Sequence, residues 1–154
     1  MKEITAYTDG SCTANGNDGA GGWAYIIIDD DNNNETSNYG GEEVSTSNRM
    51  ELTAILECLK SQKEKCNFTI YSDSKYCVNT VNQWMRNWQQ KNWMKGDGNP
   101  VKNLDIIKEI FELCNFHTVK ARWIKGHSGN HYNEIVDGLA NESAKMFLPC
   151  HLLD

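Results

Sequence analysis

Two short stretches read almost alike, Ala6-Tyr7-Thr8-Asp9-Gly10-Ser11 and Ile70-Tyr71-Ser72-Asp73-Ser74. Each closes a run that alternates like a β-strand, and each stops on an aspartate followed by small residues. Alternation puts Thr5, Tyr7 and Asp9 on one face of the first run, and Thr69, Tyr71 and Asp73 on the equivalent face of the second. Laid side by side and parallel, the two strands would hold their carboxylates about 5 Å apart at one sheet edge. Two carboxylates that close do not both stay ionised without a shared proton or a cation. An aspartate at a strand end is often only a turn former, but the repeated Tyr-hydroxyl-Asp ending argues against coincidence.

Around this pair the chain falls into alternating elements. A first strand is predicted over 3–9. The Gly/Asn-rich stretch from Gly10 to Gly22 has no helical pattern after it, so it is not a dinucleotide fingerprint. Residues 23–28 and 36–43 read as a hairpin around an acidic turn. Ser45-Thr46-Ser47-Asn48 is a run of N-cap residues, and the helix after it buries Leu52, Ile55, Leu56 and Leu59 up to about Ser61. Glu51 stands beside that stripe in the first turn, where its simplest role is capping, with Asn48 as the cap. The fourth strand, 68–73, follows a helix and so can pair in parallel through a right-handed crossover.

Residues 74–94 read as a helix in which Trp84, Trp88 and Trp93 interleave with Arg86, Lys91 and Lys95, broken by Gly96-Asp97-Gly98-Asn99-Pro100. A helix over 101–114, a strand over 117–124, a Gly126-His127-Ser128-Gly129 loop and a helix over 133–146 complete the chain. The order βββαβααβα predicts one α/β domain over 1–148, with a mixed five-stranded sheet flanked by helices, and a tail over 149–154.

At 154 residues the chain is one domain's length. It has no apolar run long enough for a bilayer, and Met1-Lys2-Glu3-Ile4 enters a strand directly, so neither membrane nor signal peptide is expected. Its six cysteines form no Cys-x-x-Cys pair, which predicts reduced thiols in a cytoplasmic setting. The net charge of −6 speaks against a nucleic-acid partner until its distribution is seen. Residues 29–43 carry six acids and no Lys or Arg, whereas residues 84–125 carry eight Lys or Arg against four acids. A basic surface on one side is therefore expected.

Four acids share one property. Asp9 and Asp73 end strands, Glu51 flanks an apolar helical stripe, and Asp137 sits beside Val136 and Ala140 in the last helix. Each can reach the sheet edge. Four converging carboxylates need divalent cations, and an all-oxygen ligand set selects magnesium or manganese. A pair of such ions can activate water and steady the leaving oxygen in phosphodiester cleavage. His127, between glycines and ten residues before Asp137, carries an imidazole suited to proton shuttling beside such a site.

At these residues the sequence resembles the type 1 ribonuclease H family. The matching pieces are Tyr-Thr-Asp-Gly-Ser-Cys (7–12), Asn-Arg-Met-Glu-Leu (48–52), Ser-Asp-Ser (72–74), Gln-Trp-x-x-Asn-Trp (83–88), Pro-Val-Lys-Asn (100–103), and Trp-x-Lys-Gly-His-x-Gly with Asn-Glu-x-x-Asp-x-Leu-Ala (123–140). They span the chain to about Ala144 in family order. The resemblance implies a ribonuclease H-like fold. It also implies endonucleolytic hydrolysis of the RNA strand of an RNA–DNA hybrid by a monomer, with two ions per site and 5′-phosphate and 3′-hydroxyl ends.

Carried over residue by residue, Asp9, Glu51, Asp73 and Asp137 resemble the metal-binding carboxylates and His127 the mobile histidine. Cys12, Asn15 and Asn48 resemble residues that feel the RNA strand, partly through its 2′-hydroxyls. Ser47 stands where some members carry another Asn. Thr46 and Asn103 resemble a pocket for a phosphate of the DNA strand, and Glu134 an acid supporting the histidine loop. Trp84, Arg86, Trp88 and Lys91 resemble the basic protrusion that contacts the hybrid, with the indoles given mainly to packing and the cations to phosphates. Gln89, Gln90 and Val44 replace commonly basic positions, which predicts weaker and more salt-sensitive binding. An inactive binding copy of the fold, or a relative acting on DNA, are the competing readings. The complete set of acids with His127 opposes the first, and the Cys12/Asn15/Asn48 set opposes the second.

Overall fold

The computed structural model describes residues 1–13 and 19–148. Asn15, the loop residues 16–18, Cys150 and the tail over 149–154 lie outside the described residues. The elements are β1 (Lys2–Cys12), β2 (Gly19–Asp29), β3 (Glu35–Ser45), α1 (Ser47–Lys60), β4 (Cys66–Ser72) and α2 (Lys75–Asn79). One π-helical turn (Thr80–Trp84) joins α2 to α3 (Met85–Gln90), and α4 (Leu104–Phe116), β5 (Thr118–Trp123) and α5 (His131–Met146) follow. The sheet order is β3-β2-β1-β4-β5. Neighbours β1/β2 and β2/β3 are antiparallel, while β1/β4 and β4/β5 are parallel. The predicted mixed sheet and element order are thus present.

Several element boundaries differ from those expected, three of them for a clear local reason. The hairpin strands begin earlier because Gly19 to Gly22 pair across to β3 instead of looping. The helix expected over 74–94 ends at Gln90, where Asn92 and Trp93 turn to φ 58° and 64°. The helix expected from Val101 starts at Leu104, since Asn103 takes the left-handed region at φ 58°, one that asparagine tolerates. The cap of α1 is Thr46, whose Oγ1 accepts the Arg49 N–H at 3.2 Å, which corrects the Asn48 cap and puts Glu51 past the first turn, out of the capping role. Asn48 is left exposed.

Two apolar layers flank the sheet. On one face Leu52, Ile55 and Leu59 of α1 and Ile107 and Ile110 of α4 bury Phe68 and Ile70 of β4. Truncating any of these to Ala should cost about 2–5 kcal/mol. On the other face Val136 and Ala140 of α5 cover Ala24 and Ile26 of β2. Buried His117 ties the two ends of that first layer together, accepting the Cys66 N–H on Nδ1 at 3.0 Å while its Nε2 lies 3.2 Å from the Leu59 carbonyl. The thiols of Cys58 and Cys77 are pushed up by burial, and that of Cys114 to about 12, so these groups stay protonated.

Helix α5 lies on β2 with no side chain between them at Gly22. A Cβ there would fall 2.2 Å from the Ala140 carbonyl oxygen and 2.3 Å from the Ala144 nitrogen. Gly22→Ala is therefore expected to destabilise the fold by about 1–3 kcal/mol, read as a lower urea midpoint. An unchanged midpoint would contradict this close approach.

Candidate active site

Parallel pairing of β1 with β4 sets the centre. Thr5 pairs with Thr69 and Tyr7 with Tyr71, and the two tyrosine rings stack 5.1 Å apart. Tyr132 of α5 stacks on Tyr7 at 5.2 Å, which fixes the side of the sheet these residues share. Two residues further along each strand path come Asp9 and Asp73. Helix α1 brings Glu51 against them because Gly10 has no side chain: a Cβ at Gly10 would fall 2.2 Å from the Glu51 nitrogen. One carboxylate oxygen from each of Asp9, Glu51 and Asp73 then lies within 4.8 Å of the other two. Asp137 stands beside this trio on α5, held by Asn141, whose Nδ2 donates to Asp137 Oδ2 at 3.4 Å. Ser11 donates to Asn141 Oδ1 at 2.6 Å, linking α5 back to the end of β1.

The carboxylates raise one another's proton affinity. Burial pushes Asp9 from 3.8 up to about 8, aided by the charges of Asp73 and Asp137 and opposed by a hydrogen bond with Glu51. Glu51 is raised well above the ordinary carboxylate range by burial, then by Asp9 and Asp73. Asp73 is raised by burial and by Asp137, while His127 pulls it back. Glu51 is half-buried as a residue, yet its Oε2 is shielded from solvent and has no hydrogen-bond partner. Hard oxygen donors, an orphaned carboxylate oxygen and three converging acids fit a divalent cation such as magnesium, and no softer ligand joins them among the described residues.

The neighbouring loop is built onto Asp73. A Cβ at Gly126 would sit 2.9 Å from Asp73 Oδ2, so only glycine lets the loop lie this close. Next to it His127 is exposed and held at φ 56°. Trp123 Nε1 donates to the Asp73 carbonyl at 3.1 Å. Asn133, buried in the first turn of α5, stands beside Asp73 and lowers its proton affinity, while its Nδ2 has no hydrogen-bond partner among the described residues. The quoted Asn-Glu-x-x-Asp motif contains Asn133, but sequence reasoning gave it no role. Trp123 was likewise only part of a motif, and Asn141 carried no signal. Glu134 is exposed in the same first turn.

The remaining candidates divide into groups. Asn48, Trp88 and Asn103 line one groove of about 220 Å³ with Tyr76, Lys95 and Lys102. Thr46 spends its hydroxyl on the α1 cap, with Ser47 as the first helical residue. Cys12 donates to the Ser45 carbonyl at 3.5 Å, which places it at the foot of α1. Trp84 tilts between Tyr76 and Trp88, with ring centres 6.3 and 6.1 Å away, and Trp93 meets Phe111 edge-on, consistent with packing. Lys91 is exposed at the end of α3. Arg86 does not join the Trp88 groove. It turns to the opposite flank of the helix, where its guanidinium donates to the carbonyls of Val81 and Asn82.

Fold and cluster together define an α/β enzyme with an all-carboxylate centre, a class in which hard divalent cations assist hydrolysis. The profile of the RNase H family matches residues 1–145. A ribonuclease H of Campylobacter curvus (strain 525.92) is 43% identical over 147 residues, 96% of either chain. One of Francisella tularensis subsp. novicida (strain U112) is 45% identical over 140 residues, 91% of this chain and 90% of that one. The crystal structure of LC9-RNase H1, a type 1 RNase H with the type 2 active-site motif, has a TM-score of 0.82 at 27% identity, covering 94% of this chain and 72% of that chain. LC11-RNase H1, solved in complex with RNA/DNA hybrid, shares the fold at a TM-score of 0.65 and 18% identity, covering 93% of this chain and 97% of that chain. The chain belongs to the ribonuclease H family, whose members are divalent-metal-dependent nucleases.

The carboxylate cluster has a measurable cost. A group whose proton affinity is higher folded than unfolded adds stability below its unfolded pKa and loses that contribution as pH rises through the folded one. For Asp9 that window runs from 3.8 to about 8. In chelator, Asp9→Asn should therefore melt progressively higher than the parent as pH rises through this window, by about 2–4 °C for each kcal/mol of relieved repulsion. Added magnesium should close the gap by stabilising the parent more. Parallel melting curves for the two proteins across this pH range would mean the acids do not repel as described.

Proposed function

We propose that the protein is an endoribonuclease that hydrolyses the RNA strand of RNA–DNA hybrids, leaving 5′-phosphate and 3′-hydroxyl ends. The observation that carries this reading is the trio Asp9, Glu51 and Asp73, with ligand oxygens within 4.8 Å at the end of the β1/β4 pair. These three, with Asp137 beside them, would hold two magnesium ions, or manganese, when substrate is bound. The ions supply Lewis acidity at the scissile phosphate and cancel the charge that the four acids accumulate. His127 lies in a loop packed on Asp73 and is exposed, so its imidazole can take a proton from the reacting centre into solvent. Trp123 holds Asp73 in place through its carbonyl, and Asn133 stands beside its carboxylate.

Substrate selection follows from the flanks. Asn48 and Asn103 offer amides to a nucleic-acid backbone in the groove beside Trp88, where Lys95 and Lys102 supply positive charge. Cys12 and Ser47 border the same α1 terminus and would face the RNA strand with Asn48, while Thr46, with Asn103, would meet a phosphate of the DNA strand. Asn15 belongs to this proposal by its position in sequence. Glu134 would support the histidine loop from the first turn of α5. The reading extends to a monomer acting in the cytoplasm on a hybrid partner. None of the described helices is long and apolar enough to cross a membrane.

The test is incubation of the protein with labelled RNA–DNA hybrid, duplex RNA and duplex DNA, each with magnesium and with chelator. Cleavage of the hybrid RNA strand alone, and only with metal, is expected. Asp9→Asn should abolish it in a protein that still folds, and magnesium-dependent activity in that variant would rule out the proposed centre. His127→Ala should slow turnover by about 10²–10⁴-fold without erasing it. An undiminished rate in that variant would remove the histidine from proton transfer.

A further inference from the structure

Strand β5 is the edge of the sheet, and its outer surface is cationic. In the parallel register Lys120 pairs with Thr69 and Arg122 with Tyr71, so both cations share the face on which Tyr71, Tyr7 and Tyr132 stack. Helix α5 packs on that face over β1, β2 and β3, not to a comparable extent over β4 and β5. Lys120 and Arg122 are accordingly exposed. They border an open cavity of about 470 Å³ with Asn82 and Arg86. Among the described residues no ion pair includes Arg86, Lys120 or Arg122.

The strand's hydrogen-bonding edge is already closed at this point. Asn82 donates Nδ2 to the Ala121 carbonyl at 2.8 Å and accepts the Ala121 N–H on Oδ1 at 3.0 Å, substituting for a neighbouring strand. A peptide adding itself in register at Ala121 is therefore blocked, and what remains open is the line of cations. That line leads towards the acidic centre: Arg122 pairs with Tyr71, two residues before Asp73 on the same strand path. Lys120 and Arg122, two residues apart, are spaced by about 6.7 Å along one line. This suits one extended phosphodiester backbone, whereas a duplex presents two. The groove of Asn48, Trp88 and Asn103 lies on the other flank of the α2–α3 helix, so the two surfaces are separate.

We propose that Arg122 and Lys120 form a track, flanked by Arg86, that binds a single nucleic-acid strand extending beyond the paired substrate. The inference rests on the nuclease reading for what brings that strand to the site, and on charge complementarity for the occupant.

The experiment uses the full chain and the double variant K120Q/R122Q. Binding of a labelled oligodeoxythymidine in chelator is followed by fluorescence anisotropy across a salt series. The variant should bind about tenfold more weakly, with a salt slope smaller by about 1.4, two contacts at about 0.7 each. In magnesium, a hybrid carrying a single-stranded DNA extension should show a raised KM with the variant, while kcat, and KM for a blunt hybrid, stay unchanged. An unchanged affinity and slope would overturn the track, as would an equal rise in KM for the blunt hybrid. Displacement of the oligonucleotide by poly-glutamate at matched charge and equal affinity would overturn it too, in favour of an acidic protein segment. If the parent binds the oligonucleotide but cleaves no hybrid, the nuclease reading fails and the track does not.

Discussion

Repulsion among carboxylates at the end of a parallel strand pair is the constraint on which this structure turns. Hydrophobic packing alone would place apolar or hydroxyl side chains at the ends of β1 and β4. Instead the register that stacks Tyr7 on Tyr71 delivers Asp9 and Asp73 to one end, and Glu51 is pressed onto them from α1. Burial multiplies the penalty, because each charge loses water as well as gaining a like neighbour. Asp9 is raised to about 8 for both reasons. A fold retains such an arrangement only if the rest of the molecule holds the strand ends rigidly enough that the acids cannot swing out to solvent.

That rigidity comes from two backbone contacts with nothing between them. At Gly10 the backbone of α1 at Met50 and Glu51 touches β1, and at Gly22 α5 touches β2. The helices are thereby located to within the tolerance of van der Waals contact, and with them Glu51 and Asp137. Around these points the layers differ in strength. The α1/α4 side is a broad aliphatic core, whereas the α5 side is small and is supplemented by polar ties such as Ser11 to Asn141 and Tyr132 to Glu35. The helix bearing Asp137 is thus fastened partly by hydrogen bonds, which suits a helix whose first turn and preceding loop both adjoin the acidic centre.

Much of this was legible because it is local or periodic. The alternating runs ending in Asp9 and Asp73, the Leu52/Ile55/Leu56/Leu59 stripe and the intervening helix specify a parallel pair joined by a crossover, and that pair is present. Long-range facts left weaker traces. Nothing in the sequence indicates that Thr46 rather than Asn48 caps α1, since four cap-forming residues stand in a row. The π turn at Thr80–Trp84 moves the side chains beyond it around the helix, so spacing alone could not tell that Trp88 and Arg86 would look into different grooves. His117 read as the start of a strand, and its two bonds to chain segments more than fifty residues away have no sequence signature. The position of Asn133 beside Asp73 likewise has no sequence signature.

The distribution of charge completes the physical picture. The chain is acidic in total, with six acids and no Lys or Arg in the hairpin over 29–43 and four more acids at the centre, while Arg86, Lys120 and Arg122 join no ion pair among the described residues. A buried anionic centre repels a polyanion at short range. The flanking cations oppose that repulsion, since their fields act over about 8–10 Å of salt solution, enough to span the width of a groove. The division of labour is therefore spatial. The carboxylates are pinned where a hard cation is needed, and the lysines and arginines are displaced to both flanks, where they do not neutralise the acids. Moving a lysine into the trio would satisfy its charge internally and remove the demand for a metal. The separation of the two signs keeps the acidic centre unsatisfied, and so receptive to a divalent cation.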